Sequence, residues 1–202
     1  MVDYSIENEY REKGFNIICG VDEAGRGPLA GPVYAAAVIL PPDCVIEGLN
    51  DSKKLTEKKR EALFDEIKEK ALAYGIASAD EKEIDEINIL NATFLAMKRA
   101  IASLSVRPDL ALIDGNQKPH TDIEEVTVIK GDAKSMSIAA ASVLAKVSRD
   151  RFMLEMAEKY PQYEFARHKG YGTKLHYEKI AQYGVCDIHR RTFLKKILGE
   201  QK

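Results

Sequence analysis

Nothing in this chain approaches the length of a membrane-spanning apolar run, and its first sixteen residues, MVDYSIENEYREKGFN, are too acidic and polar for a secretory signal. Cysteine is scarce: Cys19, Cys44 and Cys186 are odd in number and far apart. That excludes a disulfide framework and points to a reducing compartment, the cytoplasm. There is no GxxxxGK[ST] phosphate loop and no GxSxG elbow for a nucleophilic serine. No internal repeat, low-complexity tract or linker divides the chain. Cys186-x-x-His189 is half of a zinc motif without its other half, and it reads as structural.

What remains is a globular composition. With 202 residues, 45% hydrophobic and 31% charged, the chain can bury a core of its own. One domain over 1–202 is expected, with about 160–202 as a helical C-terminal extension packed on it. The net charge of −2 names no partner, but its distribution is uneven. From Lys130 onward there are 15 Lys and Arg against 8 Asp and Glu, whereas the first 129 residues hold 15 against 24. A polyanion-facing C-terminal third on an acid-rich body fits that division, as does a set of helices with solvated charges.

The patterning alternates between short apolar runs and amphipathic stretches. Strands are expected at Ile17 to Val21, Val33 to Leu40, Tyr74 to Ser78, Leu110 to Ile113 and Val126 to Ile129. Thr56 caps a helix running to about Ala73, with Leu63, Phe64 and Ile67 on one face. A short acidic helix, Asp80 to Glu86, precedes a longer one, Asn88 to Leu104. A long helix from Ser135 to Tyr160 is rich in alanine at its start, which lets a backbone lie close to a sheet. Thr173 to Tyr183 forms another helix, with Gly184 past its end. The order is that of a mixed α/β layer fold.

Three of the strands end in acids: Asp22 and Glu23, Asp114, and, past a Lys-Gly, Asp132. Ligands of open α/β sheets sit beyond strand ends, so these carboxylates can meet there. Taken singly, Asp114 and Asp132 read as residues that end their elements; taken together, they read as a site. Gathered carboxylates repel one another unless cations neutralise them, and oxygen-only ligands suit Mg²⁺ or Mn²⁺. Two ions about 4 Å apart serve phosphodiester hydrolysis. Neighbouring strand residues face opposite ways, so a twist, a bulge or an early strand end is expected at Asp22-Glu23.

Gly25-Arg26-Gly27-Pro28-Leu29-Ala30 also matches the GxGxxA dinucleotide pattern. That pattern needs a helix to follow, whereas Pro28, Gly31 and Pro32 lead into VYAAAVIL, a strand. Ser142, Lys146 and Arg149 share one side of the long helix, and Arg167-His168-Lys169-Gly170-Tyr171-Gly172-Thr173 is a basic loop with an aromatic ring between glycines. Lys and Arg can neutralise phosphates, and an exposed Tyr offers a face to a sugar or base.

The segments VDEAGRGPLAGPV, NDSKKL, LIDGN, KGD, SIAAASVLAKVSRDR, HKGYGT and GVCDIHRRTF together resemble bacterial ribonuclease HII, of the ribonuclease H-like superfamily. The resemblance spans nearly the whole chain. It implies a mixed five-stranded sheet flanked by helices, with a small helical C-terminal region. It also implies an endonuclease that cuts the RNA strand of RNA–DNA hybrids and single ribonucleotides embedded in duplex DNA. By the same resemblance, Asp22, Glu23, Asp114 and Asp132 are the metal-binding catalytic acids, holding two Mn²⁺ or Mg²⁺ ions with substrate. Gly25, Arg26 and Gly27 match the segment whose backbone reads the ribose 2′-hydroxyl. Tyr171 matches the tyrosine that senses the adjoining deoxyribose at an RNA–DNA junction. Ser52, Lys53, Lys54, Lys146 and Arg149 are candidates for contacts to the nucleic-acid backbone. A monomer is expected, without the C-terminal clamp-binding peptide that some relatives carry. The rival readings are a metal-dependent nuclease acting on DNA junctions and a non-catalytic nucleic-acid-binding module.

Overall fold

A computed structural model describes residues 2–199 of the chain. Met1 and residues 200–202, the outermost ends of the expected domain and of its C-terminal extension, lie outside the described residues. The chain opens with a helix not anticipated from the sequence, α1 (Ser5–Glu12). There follow β1 (Ile18–Ala24), β2 (Val33–Ile39), α2 (Glu57–Lys70), β3 (Ala73–Ala79) and α3 (Glu81–Ala102). Next come β4 (Leu110–Asp114), β5 (Glu124–Val128), α4 (Met136–Lys159), α5 (Phe165–His168), α6 (Lys174–Tyr183) and α7 (Arg191–Leu198). The five strands form one mixed sheet in the order β3-β2-β1-β4-β5. β1 and β3 both run antiparallel to β2, and β4 runs parallel to β1 and to β5.

Helices cover both faces. On one, Ala24, Ala36 and Val38 meet the alanines of α4, with Leu63, Phe64 and Ile67 of α2 closing the layer. On the other, Val21, Ala35, Ala37 and Ile113 meet Ala92, Ala96, Met97 and Ala100 of α3. Each large apolar side chain fully buried this way contributes roughly 1.5–3 kcal/mol. The close seat of α4 depends on Gly20, where a Cβ would lie 2.1 Å from the Ser137 carbonyl carbon.

Caps fix where the helices start. Thr56 accepts from Lys59 N–H, Ser135 from Ile138 N–H and Thr173 from His176 N–H. Asp80 and Glu83 form a reciprocal capping box at the head of α3. The two helices expected there join into one element kinked at Asn88, whose φ is +67°. Its side chain accepts from Leu90 and Asn91 N–H and so starts the second half.

Of the twist, bulge or early strand end expected at Asp22-Glu23, neither the bulge nor the early end is there, since β1 continues to Ala24. Pairing of β1 with β2 runs without a slip through Asp22↔Ala36, Glu23↔Ala35 and Ala24↔Tyr34. Only the pairing with β4 stops short, at Val21↔Ile113. Strand alternation therefore holds, and Asp22 and Glu23 leave the sheet on opposite faces.

Candidate active site

Asp22 lies inside β1 on the α4 face, and Asp114 is the last residue of the neighbouring parallel strand. Asp132 sits in a single 3₁₀ turn, 131–133, just after β5. One carboxylate oxygen from each of the three lies within 4.8 Å of the others. Lys130 reaches this turn through a left-handed conformation, φ +57°. The Gly131 amide then donates to Asp114 Oδ1 at 2.6 Å, which ties the Asp132 turn to β4. Asp22 accepts from the Glu23 amide at 2.7 Å.

The trio is poorly neutralised. Burial pushes the Asp22 carboxyl well above its ordinary range, and the charges of Glu23 and Asp114 add to it. Burial also raises Asp132, again helped by Asp114, while Lys53 pulls the other way from 3.7 Å. A cluster of hard oxygen donors that resists its own ionisation is the setting a divalent cation relieves. These residues fit Mg²⁺ or Mn²⁺. Glu23, expected as a fourth member, is not among the three, but it lines the cleft beside them, and its charge reaches Asp22 as that of Asp114 reaches it. It stands 3.5 Å from Arg26, with burial raising its pKa against the pull of that guanidinium.

Between β1 and β2 the Gly25–Pro32 loop is shaped by two buried arginines. Arg190 donates to the carbonyls of Gly25 (2.6 Å), Arg26 (2.9 Å) and Gly31 (2.8 Å). Arg149 donates to Ala30 (3.1 Å), Pro32 (3.2 Å) and, outside the loop, Lys169 (3.1 Å). Gly25 has φ +97°, and a Cβ on it would come within 2.0 Å of Arg149 Nε. Only glycine fits there. With the carbonyls taken inward, the amide N–H groups of Gly25, Arg26 and Gly27 have no partner among the described residues. No helix follows the loop, so the dinucleotide pattern has no structural counterpart.

A cleft of about 190 Å³ opens beside the acids. Glu23, Gly25 and Arg26 form one wall, Ser52 and Lys53 a second, Ser142 and Lys146 of α4 a third, and Tyr171 the rim. Ser52 is buried and bonded to Ser142 through their hydroxyls at 2.8 Å. Lys146 reaches Asp150 at 2.7 Å, and Tyr171 is 43% exposed. Gly27 and Lys54 are exposed but do not line this cleft.

Arg149 needs correction. Sequence spacing put it on the nucleic-acid side of the helix, yet it is 0% exposed and spends its donors on backbone carbonyls. Its guanidinium lies 5.7 Å from the Tyr171 ring centroid, so it supports the site from beneath.

Arg190 was not anticipated at all. It lies far along the chain from the loop it grips, and although it falls in the GVCDIHRRTF segment, no spacing there ties it to that loop. Glu7 on α1 was also missed. It is buried, and its Oε1 accepts from both Ser135 and Ser137, bracing the segment between Asp132 and α4. Cys186 and His189 close on each other, the Cys186 amide donating to His189 Nδ1 at 2.9 Å, and make no metal site with other described residues.

Comparison with known proteins gives one consistent result. The family model described as Ribonuclease HII matches residues 19–196. A Ribonuclease HII of Caldicellulosiruptor bescii is 58% identical over 97% of this chain and 95% of that protein. One of Acetivibrio thermocellus is 60% identical over 95% of this chain and 75% of that protein. Among solved structures, the ribonuclease H2 of Pyrococcus horikoshii superposes with a TM-score of 0.75 at 29% identity, covering 92% of this chain and 97% of that one.

Proposed function

The chain belongs to the ribonuclease HII family, a family of hydrolytic nucleases, and from that premise we propose its substrate and the roles of its residues. It hydrolyses the RNA strand of RNA–DNA hybrids. It also cuts at single ribonucleotides embedded in duplex DNA, on the 5′ side of the ribonucleotide at the RNA–DNA junction, leaving a 3′-hydroxyl and a 5′-phosphate. The observation that supports this reading most is the acid trio beside a glycine loop whose amides are free to bind.

Asp22, Asp114 and Asp132 would hold two divalent ions, Mg²⁺ or Mn²⁺, with Glu23 completing the acid set from the cleft wall. When bound, such ions activate a water and stabilise the leaving oxygen of a phosphodiester. The 2′-hydroxyl is the group that separates RNA from DNA at one nucleotide. The amides of Gly25, Arg26 and Gly27 can donate to its oxygen without a side chain between. Arg149 and Arg190 keep those amides in place before substrate arrives, so little ordering is left to binding. Lys53 and Lys146 carry positive charge at the cleft for phosphates, and Ser52 positions the turn that bears Lys53. Tyr171 stacks on the deoxyribose next to the cut and gives the junction preference. The segment from about 160 onward, as part of one domain, supplies that tyrosine and the grip on the loop. The enzyme works as a monomer in the cytoplasm. No described helix is long and apolar enough to cross a membrane.

The test is a DNA duplex carrying one ribonucleotide, incubated with Mg²⁺ or Mn²⁺ and its products mapped. One cut immediately 5′ of the ribonucleotide is expected, and none in the all-DNA duplex. Cleavage of a ribonucleotide-free DNA junction, with the embedded ribonucleotide left whole, would overturn the reading.

A further inference from the structure

We propose that His176 and His189 form a proton-ordered relay that positions Tyr171 from behind, which makes both of them specificity-determining residues for cutting at the RNA–DNA junction. The inference rests on the role given to Tyr171 above.

Tyr171 lies in the loop between α5 and α6 and is held by its backbone on both sides. Its N–H donates to the His168 carbonyl at 2.8 Å, and the preceding amide, of Gly170, donates to His168 Nδ1 at 3.2 Å. Its carbonyl lies 3.0 Å from His176 Nδ1. A carbonyl can only accept, so His176 carries its proton on Nδ1 and leaves Nε2 as an acceptor. That Nε2 is 3.1 Å from His189 Nε2, which must therefore donate. His189 Nδ1 is then the acceptor, and it faces the Cys186 amide, which can only donate, at 2.9 Å. The two ends of the chain thus demand the same tautomers, and reversing either ring breaks a bond at one end.

The setting is dry. His176 is 0% exposed and His189 3%, and burial holds both pKa values down to about 4, so the rings are neutral at pH 7. His176 also stacks on His168, with ring centroids 4.3 Å apart. The Tyr171 ring itself stays at the cleft rim, beside Gly25 and Arg26. A relay of this kind fixes the backbone of Tyr171 and leaves its ring free to meet a sugar. The sequence GVCDIHRRTF, remote from the acids, thereby acts on the choice of cleavage position.

Amide side chains can test the relay atom by atom. Asn places a donor near the Nδ1 position of histidine, and Gln near the Nε2 position. His176→Asn keeps the bond to the Tyr171 carbonyl and His176→Gln loses it. At 189 the order inverts: His189→Gln keeps the donor toward His176 and His189→Asn loses it. The readout is the rate of cutting at an RNA–DNA junction divided by that within an uninterrupted hybrid. His176→Gln and His189→Asn are expected to lower this ratio by about fivefold to tenfold, the size of one buried hydrogen bond, while the other two variants stay within about twofold. The same Asn-to-Gln ranking at both positions, or an unmoved ratio, overturns the relay. Should a variant fail to fold, ¹⁵N NMR of the unaltered full chain decides. An Nδ1–H ring at 176 with an Nε2–H ring at 189 supports the relay, and any other pair of tautomers overturns it. Tyr171→Ala separates the two layers of inference. If it collapses the ratio while the histidine variants do not, the relay alone falls; if it leaves the ratio unchanged, the role of Tyr171 falls and the relay with it.

Discussion

Two charged clusters flank the Gly25–Pro32 loop, and they are built on opposite terms. On the acid side, Asp22, Asp114 and Asp132 share a small volume with one exposed lysine near them, and the carboxyls of Asp22 and Asp132 are pushed up by burial and by neighbouring acids. On the C-terminal side, Arg149, Arg190 and three histidines are as deeply buried, but their donors end on backbone carbonyls or on a neighbouring ring. Burial pushes Arg190 down to about 9, which leaves it charged at neutral pH. The first cluster is incomplete without something added from outside. The second is complete, and its product is the shape of a loop. Buried charge that finds its partners within the chain marks scaffolding, and buried charge that does not marks a binding site.

The largest expected effect lies on the incomplete side. Asp22→Asn should lower hybrid cleavage by at least about 10³-fold, since charge stabilisation at the reacting phosphate is the main catalytic contribution available. The variant should fold at least as well as the parent in the absence of divalent ions, because it removes an uncompensated buried carboxyl. Added Mg²⁺ should raise the Tm of the parent and leave that of the variant unmoved. Activity within tenfold of the parent would erase the contrast between the clusters.

On the complete side, the expected loss is one of stability. Arg190→Met strands three carbonyls, and denaturant unfolding should show a cost of about 3 kcal/mol or more. Arg190→Lys should recover little of it, because one ammonium cannot match the planar fork that spans Gly25, Arg26 and Gly31. Near-parental stability in both variants would mean that the loop holds its own shape.

The smallest effect is the most diagnostic, because the two clusters should respond to pH with opposite signs. His176 and His189, at about 4 when folded against an ordinary 6.5, bind protons in the unfolded chain first. Stability gained from them therefore rises with pH across that window and is lost as pH falls through it. Asp22 and Asp132 have raised folded pKa values, so without metal they retain protons that the unfolded chain has released. Their contribution falls as pH climbs past about 4. Urea unfolding between pH 4.5 and 7 should therefore show a steeper rise for Asp22→Asn than for the parent, and a shallower one for His176→Asn. Equal slopes in all three proteins would remove the distinction.

How far the sequence reached follows the same division. The strands were legible because their apolar runs are short and end in Pro, Gly or Asp, and α4 because its small residues announce a close contact. β5 begins two residues earlier than expected, at Glu124, where the polar start EEVTV hides it from a hydrophobicity pattern. Helix α1 stayed hidden because it is polar overall and its one buried acid, Glu7, is held through Oε1 by serines more than a hundred positions away. Asp22, Asp114 and Asp132 could be picked out because each follows closely on a short apolar run. That Glu23 would line the cleft without joining the tight trio depended on the course of the strand end, which the residues alone left open.

By itself the sequence determined the alternation of strands and helices, the three acids that follow short apolar runs and the glycines beside them, since these follow from local propensity and spacing. Tertiary structure alone decided that Arg149 supports the cleft from below, that Arg190 shapes a loop at the other end of the chain, and that two histidines line up behind Tyr171. The reason is physical: a buried donor is assigned its role by the acceptor it meets, and chain distance carries no record of that meeting.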